Sequence, residues 1–235
     1  MQRRKFTTGV VSAGLAGAPA ILLVTSRSAG AAGITEGDAA SGIRAALERG
    51  ASIAVDLLGR SGGFLDNEKV RIPLPGFLND AGKLLKMTGQ QKRVDELVTA
   101  MNRAAEAAVP QAKTLLVNAV KSMSVDDGRR ILTGGDQAAT QFFATKTRDP
   151  LSVKFLPIVT KATEKVSLAD KYNAVAGRAA GIGLVSKKDS NIQQYVTGKA
   201  LDGLYLVIGE QERKIRQDPV GTGSALLQKV FGSLK

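Results

Sequence analysis

A chain of 235 residues with no Cys and no His cannot build disulfides, thiolate sites, Ser-His-Asp or Cys-His nucleophilic systems, or the common zinc and haem centres. Its 43% hydrophobic and 23% charged residues are those of a folded globular protein, and 33 Lys and Arg against 21 Asp and Glu give a net charge of +12. That charge is scattered and aromatics make up only 4%, which disfavours nucleic acid as a partner and leaves solubility as the plainest use of the charge.

Residues 1–31 read as an export signal. Arg3, Arg4 and Lys5 make a basic start, no acidic residue precedes Glu36, and a mildly apolar run extends from Gly9 to Val24. Ala29-Gly30-Ala31 supplies an A-x-A cleavage site that leaves Ala32 as the mature N-terminus. The arginine pair ahead of Lys5 and Phe6 resembles a twin-arginine signal, with Gln2 and Thr7 departing from its usual residues. As a helix the apolar run reaches roughly 24 Å, short of a bilayer core of roughly 30 Å, and Pro19 interrupts it. Cleavage removes four basic residues and leaves 29 against 21 acidic ones, a net charge of +8. No later segment is apolar enough to form a transmembrane helix, so residues 32–235 are expected to be a soluble periplasmic or secreted protein.

Along the mature chain, nearly every segment repeats its apolar residues at helical spacing. Ile43, Leu47, Gly50, Ala54 and Leu57 share one face, and Gly59 makes a natural stop. Ser61 to Pro75 is clearly non-helical: Pro73 and Pro75 push the residues before them towards extended geometry, giving a surface loop pinned by Phe64, Ile72 and Leu74. A helix resumes at Pro75 and stops near Met87-Thr88-Gly89. Val94, Leu97, Val98, Met101, Ala105 and Ala108 form a long stripe that Pro110 ends or kinks, and Leu115, Leu116, Ala119, Val120 and Met123 continue on a new helix. Ser124 with Asp127 reads as a capping box, Gly134-Gly135 ends the short helix, and Asp136 can cap the next.

Asp149-Pro150 reads as the N-cap and first residue of a helix through Phe155, Ile158 and Val159. Ser167 caps another, which ends around Gly181-Ile182-Gly183. From Ala200 to Ile208 the chain is apolar on nearly every side, the mark of a central helix wrapped by the others. It turns amphipathic through Glu210, Glu212, Arg213, Lys214 and Arg216, spaced like a solvated ladder of charges, and stops at Asp218-Pro219. A short helix through Leu226, Leu227, Val230 and Phe231 closes the chain. No fixed-period repeat or low-complexity linker occurs. The expected fold is all-α: a single compact multi-helix domain over 32–235, with one proline-rich non-helical loop, after the N-terminal export signal.

Several stretches stand together in a distinctive way. They are Met101-Asn102-Arg103-Ala104-Ala105-Glu106-Ala107-Ala108-Val109-Pro110, Ile131-Leu132-Thr133-Gly134-Gly135-Asp136, Phe155-Leu156-Pro157-Ile158-Val159, and Ala200-Leu201-Asp202-Gly203-Leu204-Tyr205 running on to Ile215-Arg216-Gln217-Asp218-Pro219. With Gly63-Phe64 and Arg71-Ile72-Pro73-Leu74-Pro75, they resemble the bacterial family catalogued as domain of unknown function 4197, over roughly Ser41 to Leu234. The resemblance implies an exported, mostly helical protein with no assigned activity, and it carries over no catalytic residues.

Carboxylates are what remains for chemistry. Glu106 sits among Ala104, Ala105, Ala107 and Ala108, with Asn102 and Arg103 on a related face. It is either a polar binding point or general acid with a raised pKa, or a hydrogen-bonded ion pair clamping helices together. Asp202, inside the apolar helix, is expected to be buried and paired with a cation, Arg103 or Arg178 being better placed than Lys199. The candidate binding residues are Asn102, Arg103, Glu106, Asp136, Asp202 and Glu210. No catalytic residue, cofactor or metal is indicated: Asp126-Asp127-Gly128 lacks the spacing of a calcium loop, and the Gly-x-Gly fragments lack the third glycine of a dinucleotide site. The sequence therefore names no reaction and leaves the oligomeric state open. It suits a non-enzymatic envelope protein that binds a small amphipathic ligand, an envelope component or a partner surface. The alternative is a carboxylate-based hydrolase or lyase on envelope glycan, using Glu106 with Asp202, Glu210 or Asp136 across roughly 5–10 Å.

Overall fold

The computed structural model describes residues 36–76, 89, 91–164, 167–181, 183 and 191–218. The chain divides into two units, Met1–Gly33 and Ile34–Lys235, and the described residues all belong to the second. The expected export signal, the helix expected up to Met87 and the closing helix expected from Leu226 lie outside them. Among the described residues there is no strand, and no helix is long and apolar enough to cross a membrane.

Helix α1 (Glu36–Leu58) buries Ala40, Ile43, Ala46, Leu47, Ala51, Ala54, Val55 and Leu58. Leu57, expected on this face, is exposed; the stripe follows the 3.6-residue period and delivers Leu58 to the core instead. A glycine turn follows: Gly62 has φ +81°, and a Cβ on Gly63 would stand 2.4 Å from the Leu58 carbonyl oxygen. The loop after it buries Phe64, Val70 and Ile72 as pins. Helix α2 (Gln91–Ala108) turns through a 3-10 segment, Val109–Gln111, into α3 (Ala112–Lys121), with Pro110 marking the break. Helix α4 (Val125–Thr133) starts at the expected Ser124–Asp127 capping box and ends at Gly134.

Helix α5 (Ala138–Thr163) corrects the expected start at Asp149-Pro150: it runs straight through both Pro150 and Pro157. Its buried residues recur every fourth position, at Ala139, Phe143, Thr147, Leu151, Phe155, Val159 and Thr163, while both prolines face solvent. The carbonyls that Pro150 and Pro157 leave without an N–H donor belong to Lys146 and Val153, both exposed, so water can serve them. Keeping Leu151, Phe155 and Val159 on the buried face, worth about 1.5–3 kcal/mol each, offsets the about 3 kcal/mol that each of Pro150 and Pro157 costs.

Helix α6 (Ser167–Gly181) precedes α7 (Ile192–Gln217), whose Asn191 cap accepts from the Gln193 and Gln194 N–H groups. The most extensive helix pairing is α5 on α7, followed by α2 on α5 and α1 on α7. Helix α7 is thus central, but not wrapped on every side: Lys199, Asp202 and Leu206 form an exposed strip along it. On another side the loop lies directly on the α7 backbone, so that a Cβ on Gly203 would stand 2.8 Å from Phe64 Cε1.

Candidate functional site

Four of the six candidate residues turn out to grip the loop. Glu106, 5% exposed on α2, accepts at Oε1 from the N–H groups of Phe64 and Leu65, at 3.1 and 3.0 Å. Its Oε2 takes Arg103 at 2.6 Å, and Arg103 also donates to Ser61 Oγ. Burial pushes the Glu106 carboxyl up, but the donors from Leu65, Arg103 and Phe64 outweigh it and hold the pKa below the usual carboxylate value. With both oxygens engaged and the pKa held low, the geometry of Glu106 is that of a clamp between α2 and the loop rather than of a general acid with a raised pKa. Asn102, fully buried, accepts from Ile72 N–H at 2.8 Å and donates to the Ile72 and Val98 carbonyls. Glu210 pairs with Lys69 at 2.6 Å. Glu106 and Asn102 thereby satisfy loop backbone groups that would otherwise lack partners, while Arg103 and Glu210 hold loop side chains.

Asp136 is exposed and caps nothing; Gln137 occupies the N-cap position of α5 without a side-chain bond. The cap comes instead from Glu212, assigned from its spacing to a solvated ladder. Its carboxylate reaches from α7 to accept from Ala139 N–H (3.0 Å), Thr140 N–H (2.9 Å) and Thr140 Oγ1 (2.9 Å). Arg216 braces it at 2.8 Å and donates to the Ile131 carbonyl at the end of α4. A carboxylate at a helix N-terminus meets both the free N–H groups and the helix dipole. Nothing local in the sequence could have found it.

Asp202 corrects the expectation of a buried anchor. Its side chain is 51% exposed on the uncovered strip of α7. Its partner is Arg148 of α5, at 2.5 Å, with Lys199 at 4.0 Å; the side chain of Arg178 lies outside the described residues. The Arg148–Asp202 pair bridges a groove of about 580 Å³ between α5 and α7. One wall carries Arg148, Asp149, Ser152 and Leu156, and the other Gln194, Thr197, Lys199 and Asp202. Arg148 lies 5.8 Å from the Tyr205 ring centroid and Lys199 Nζ lies 5.9 Å from that of Tyr195. Burial raises the Tyr205 hydroxyl pKa above its ordinary value; that hydroxyl pairs with Thr147 Oγ1 at 2.9 Å.

Thr197 is the anomaly of this groove. It is 2% exposed, and its hydroxyl has no hydrogen-bond partner. The hydroxyls of Thr133, Thr147, Thr160 and Thr163 all fold back onto the carbonyl four residues earlier. Thr197 does not. A second recess of about 670 Å³, between α4 and α5, holds Asp136, Asp127, Arg130 and Phe142. There Asp127 is committed to its capping box and to Arg130, and no buried polar group is left over. The α5–α7 groove is the better candidate for that reason.

The carboxylates named for a hydrolase do not share an open cleft. Both oxygens of Glu106 are engaged, Glu210 is tied to Lys69, and Asp136 and Asp202 line different recesses. Among the described residues no group of three His, Cys, Asp or Glu side chains is placed to hold a metal ion. The family model described as Protein of unknown function (DUF4197) matches residues 33–232. No curated protein matches the chain, and no solved structure does.

Proposed function

We propose that this chain, which belongs to the DUF4197 family, is a non-enzymatic envelope protein that binds a small amphipathic ligand between α5 and α7. The observation that carries this reading is the open groove between α5 and α7, whose lining includes Thr197, a residue with a buried hydroxyl that has no hydrogen-bond partner. A buried hydroxyl without a partner costs about 1–3 kcal/mol, and such a cost persists where a ligand supplies the missing bond. The groove volume of about 580 Å³ falls in the range of small-molecule sites. Its lining mixes charge at Arg148, Lys199, Asp149 and Asp202 with apolar surface at Leu156 and Leu201, which suits a molecule with a polar and an apolar end. The basic start and A-x-A site of residues 1–31 support export to the periplasm.

Thermal melts of residues 32–235 against fatty acids, lysolipids and envelope oligosaccharides test the reading. A ligand at 100 times its Kd adds about 2.7 kcal/mol of stability, and Thr197→Val should reduce that gain. If no amphiphile moves the midpoint and none co-purifies by mass spectrometry, the binding reading is wrong.

A further inference from the structure

We propose that the α5–α7 groove selects a zwitterionic amphiphile, with the anionic group on Lys199, the cationic group on Asp149 and the aliphatic tail along Leu156. This rests on the groove being a ligand site and names the chemistry of what it takes.

The inference follows from which charges are already committed. Arg148 and Asp202 neutralise each other at 2.5 Å across the groove, and the face of Tyr205 holds the guanidinium in place. Two charges of opposite sign on facing walls are less firmly held. Lys199 is 4.0 Å from Asp202, the outer limit of an ion pair, and 5.9 Å from the Tyr195 ring centroid, and its ammonium makes no hydrogen bond among the described residues, so it keeps donor capacity for a ligand. Asp149 is exposed beside Arg148 and enters no hydrogen bond or ion pair among the described residues. Thr197 lines the same wall as Lys199, and its buried hydroxyl has no hydrogen-bond partner. A purely anionic molecule satisfies Lys199 but is repelled by Asp149; a purely cationic one meets the reverse. Only a ligand carrying both charges pairs with both walls at once. The apolar continuation is on α5, where Leu156 lines the groove and Val153, one turn away, is 75% exposed.

The test uses residues 32–235 and five probes below their micelle concentrations: dodecylphosphocholine, dodecyl phosphate, dodecyltrimethylammonium, dodecyl maltoside, and phosphocholine without a tail. Calorimetric titration should rank dodecylphosphocholine tightest. Asp149→Asn and Lys199→Gln should each weaken it about two- to fivefold, the scale of an exposed ion pair. The signs must part for dodecyl phosphate: Asp149→Asn tightens it, while Lys199→Gln weakens it. Tight binding of phosphocholine alone points to a free zwitterion as the source of the headgroup rather than a lipid, and overturns the tail assignment. If all four dodecyl probes bind alike, or Asp149→Asn leaves both dodecylphosphocholine and dodecyl phosphate unchanged, the zwitterion inference fails while the groove remains a ligand site. If none of the five binds, the binding reading beneath it fails too. Both substituted side chains are exposed, and unchanged melts without ligand establish that the variants fold.

Discussion

Replacing Thr197 by Val should make this protein more stable and a worse binder. The substitution exchanges a hydroxyl for a methyl of nearly the same shape, and Thr and Val have similar helix propensities. In the free protein the hydroxyl is 2% exposed as part of its residue and has no partner, so its burial costs about 1–3 kcal/mol that valine does not incur. Allowing for relaxation, a gain of about 1 kcal/mol is expected, which for a domain of this size raises Tm by about 2–4 °C. Urea melts at neutral pH and calorimetry should agree on that sign. Dodecylphosphocholine binding should fall about two- to tenfold, the worth of one hydrogen bond. Thr147→Val is the control, because its hydroxyl is bonded to the Phe143 carbonyl and the Tyr205 hydroxyl; it should lose about 1–3 kcal/mol. Should Thr197→Val destabilise to the same degree as Thr147→Val, the Thr197 hydroxyl is satisfied in solution and the site reasoning collapses.

Glu106→Gln should cost about 1.5–3 kcal/mol at pH 7, the value of hydrogen bonds to a charged group, read from urea midpoints. Because the Glu106 pKa is depressed in the folded state, its contribution is complete above the unfolded value and is lost as pH falls from about 4.5 downwards; the variant should show a shallower acid limb. Glu212→Ala strips the cap from Ala139 and Thr140 and removes one of the acceptors of Arg216, a loss of about 1.5–3 kcal/mol. Asp202→Ala, at the surface, should cost less than about 1 kcal/mol, and chemical denaturation of the pair reverses the ranking that sequence reasoning implies. Gly203→Ala drives a Cβ to 2.8 Å from Phe64 Cε1 and 3.2 Å from Val70 Cβ; overpacking of about 1–3 kcal/mol exceeds or equals the about 1 kcal/mol helix gain, so the loop side of the fold should loosen, visible as faster amide exchange at Ile72. Finally, Arg3→Lys with Arg4→Lys should block export in a fractionation assay, and N-terminal sequencing of the exported parent should begin at Ala32; continued export of the double variant assigns the general route instead.

What the sequence determined by itself was whatever depends on neighbours a few residues away. Helical spacing, the Ser124–Asp127 capping box, the break at Pro110 and the apolar pins Phe64 and Ile72 all follow from short-range stereochemistry, and the structure has each of them. The matched stretches likewise identified the family before any fold was known. Tertiary structure decided the charges whose partners lie far along the chain. Glu212 looked like part of a solvated ladder and is a buried cap for a helix 72 and 73 residues away in the chain. Asp202 looked buried and lies on the surface, because a helix apolar on most sides still leaves open whatever strip its neighbours do not cover. Proline 150 read as a helix start, yet a buried row repeating every four residues carried α5 through it. The reason is one of range. Backbone propensity and capping act within a turn or two, whereas the environment of an ionisable group is set by which distant segments exclude water from it, and by which of their donors and acceptors arrive with them.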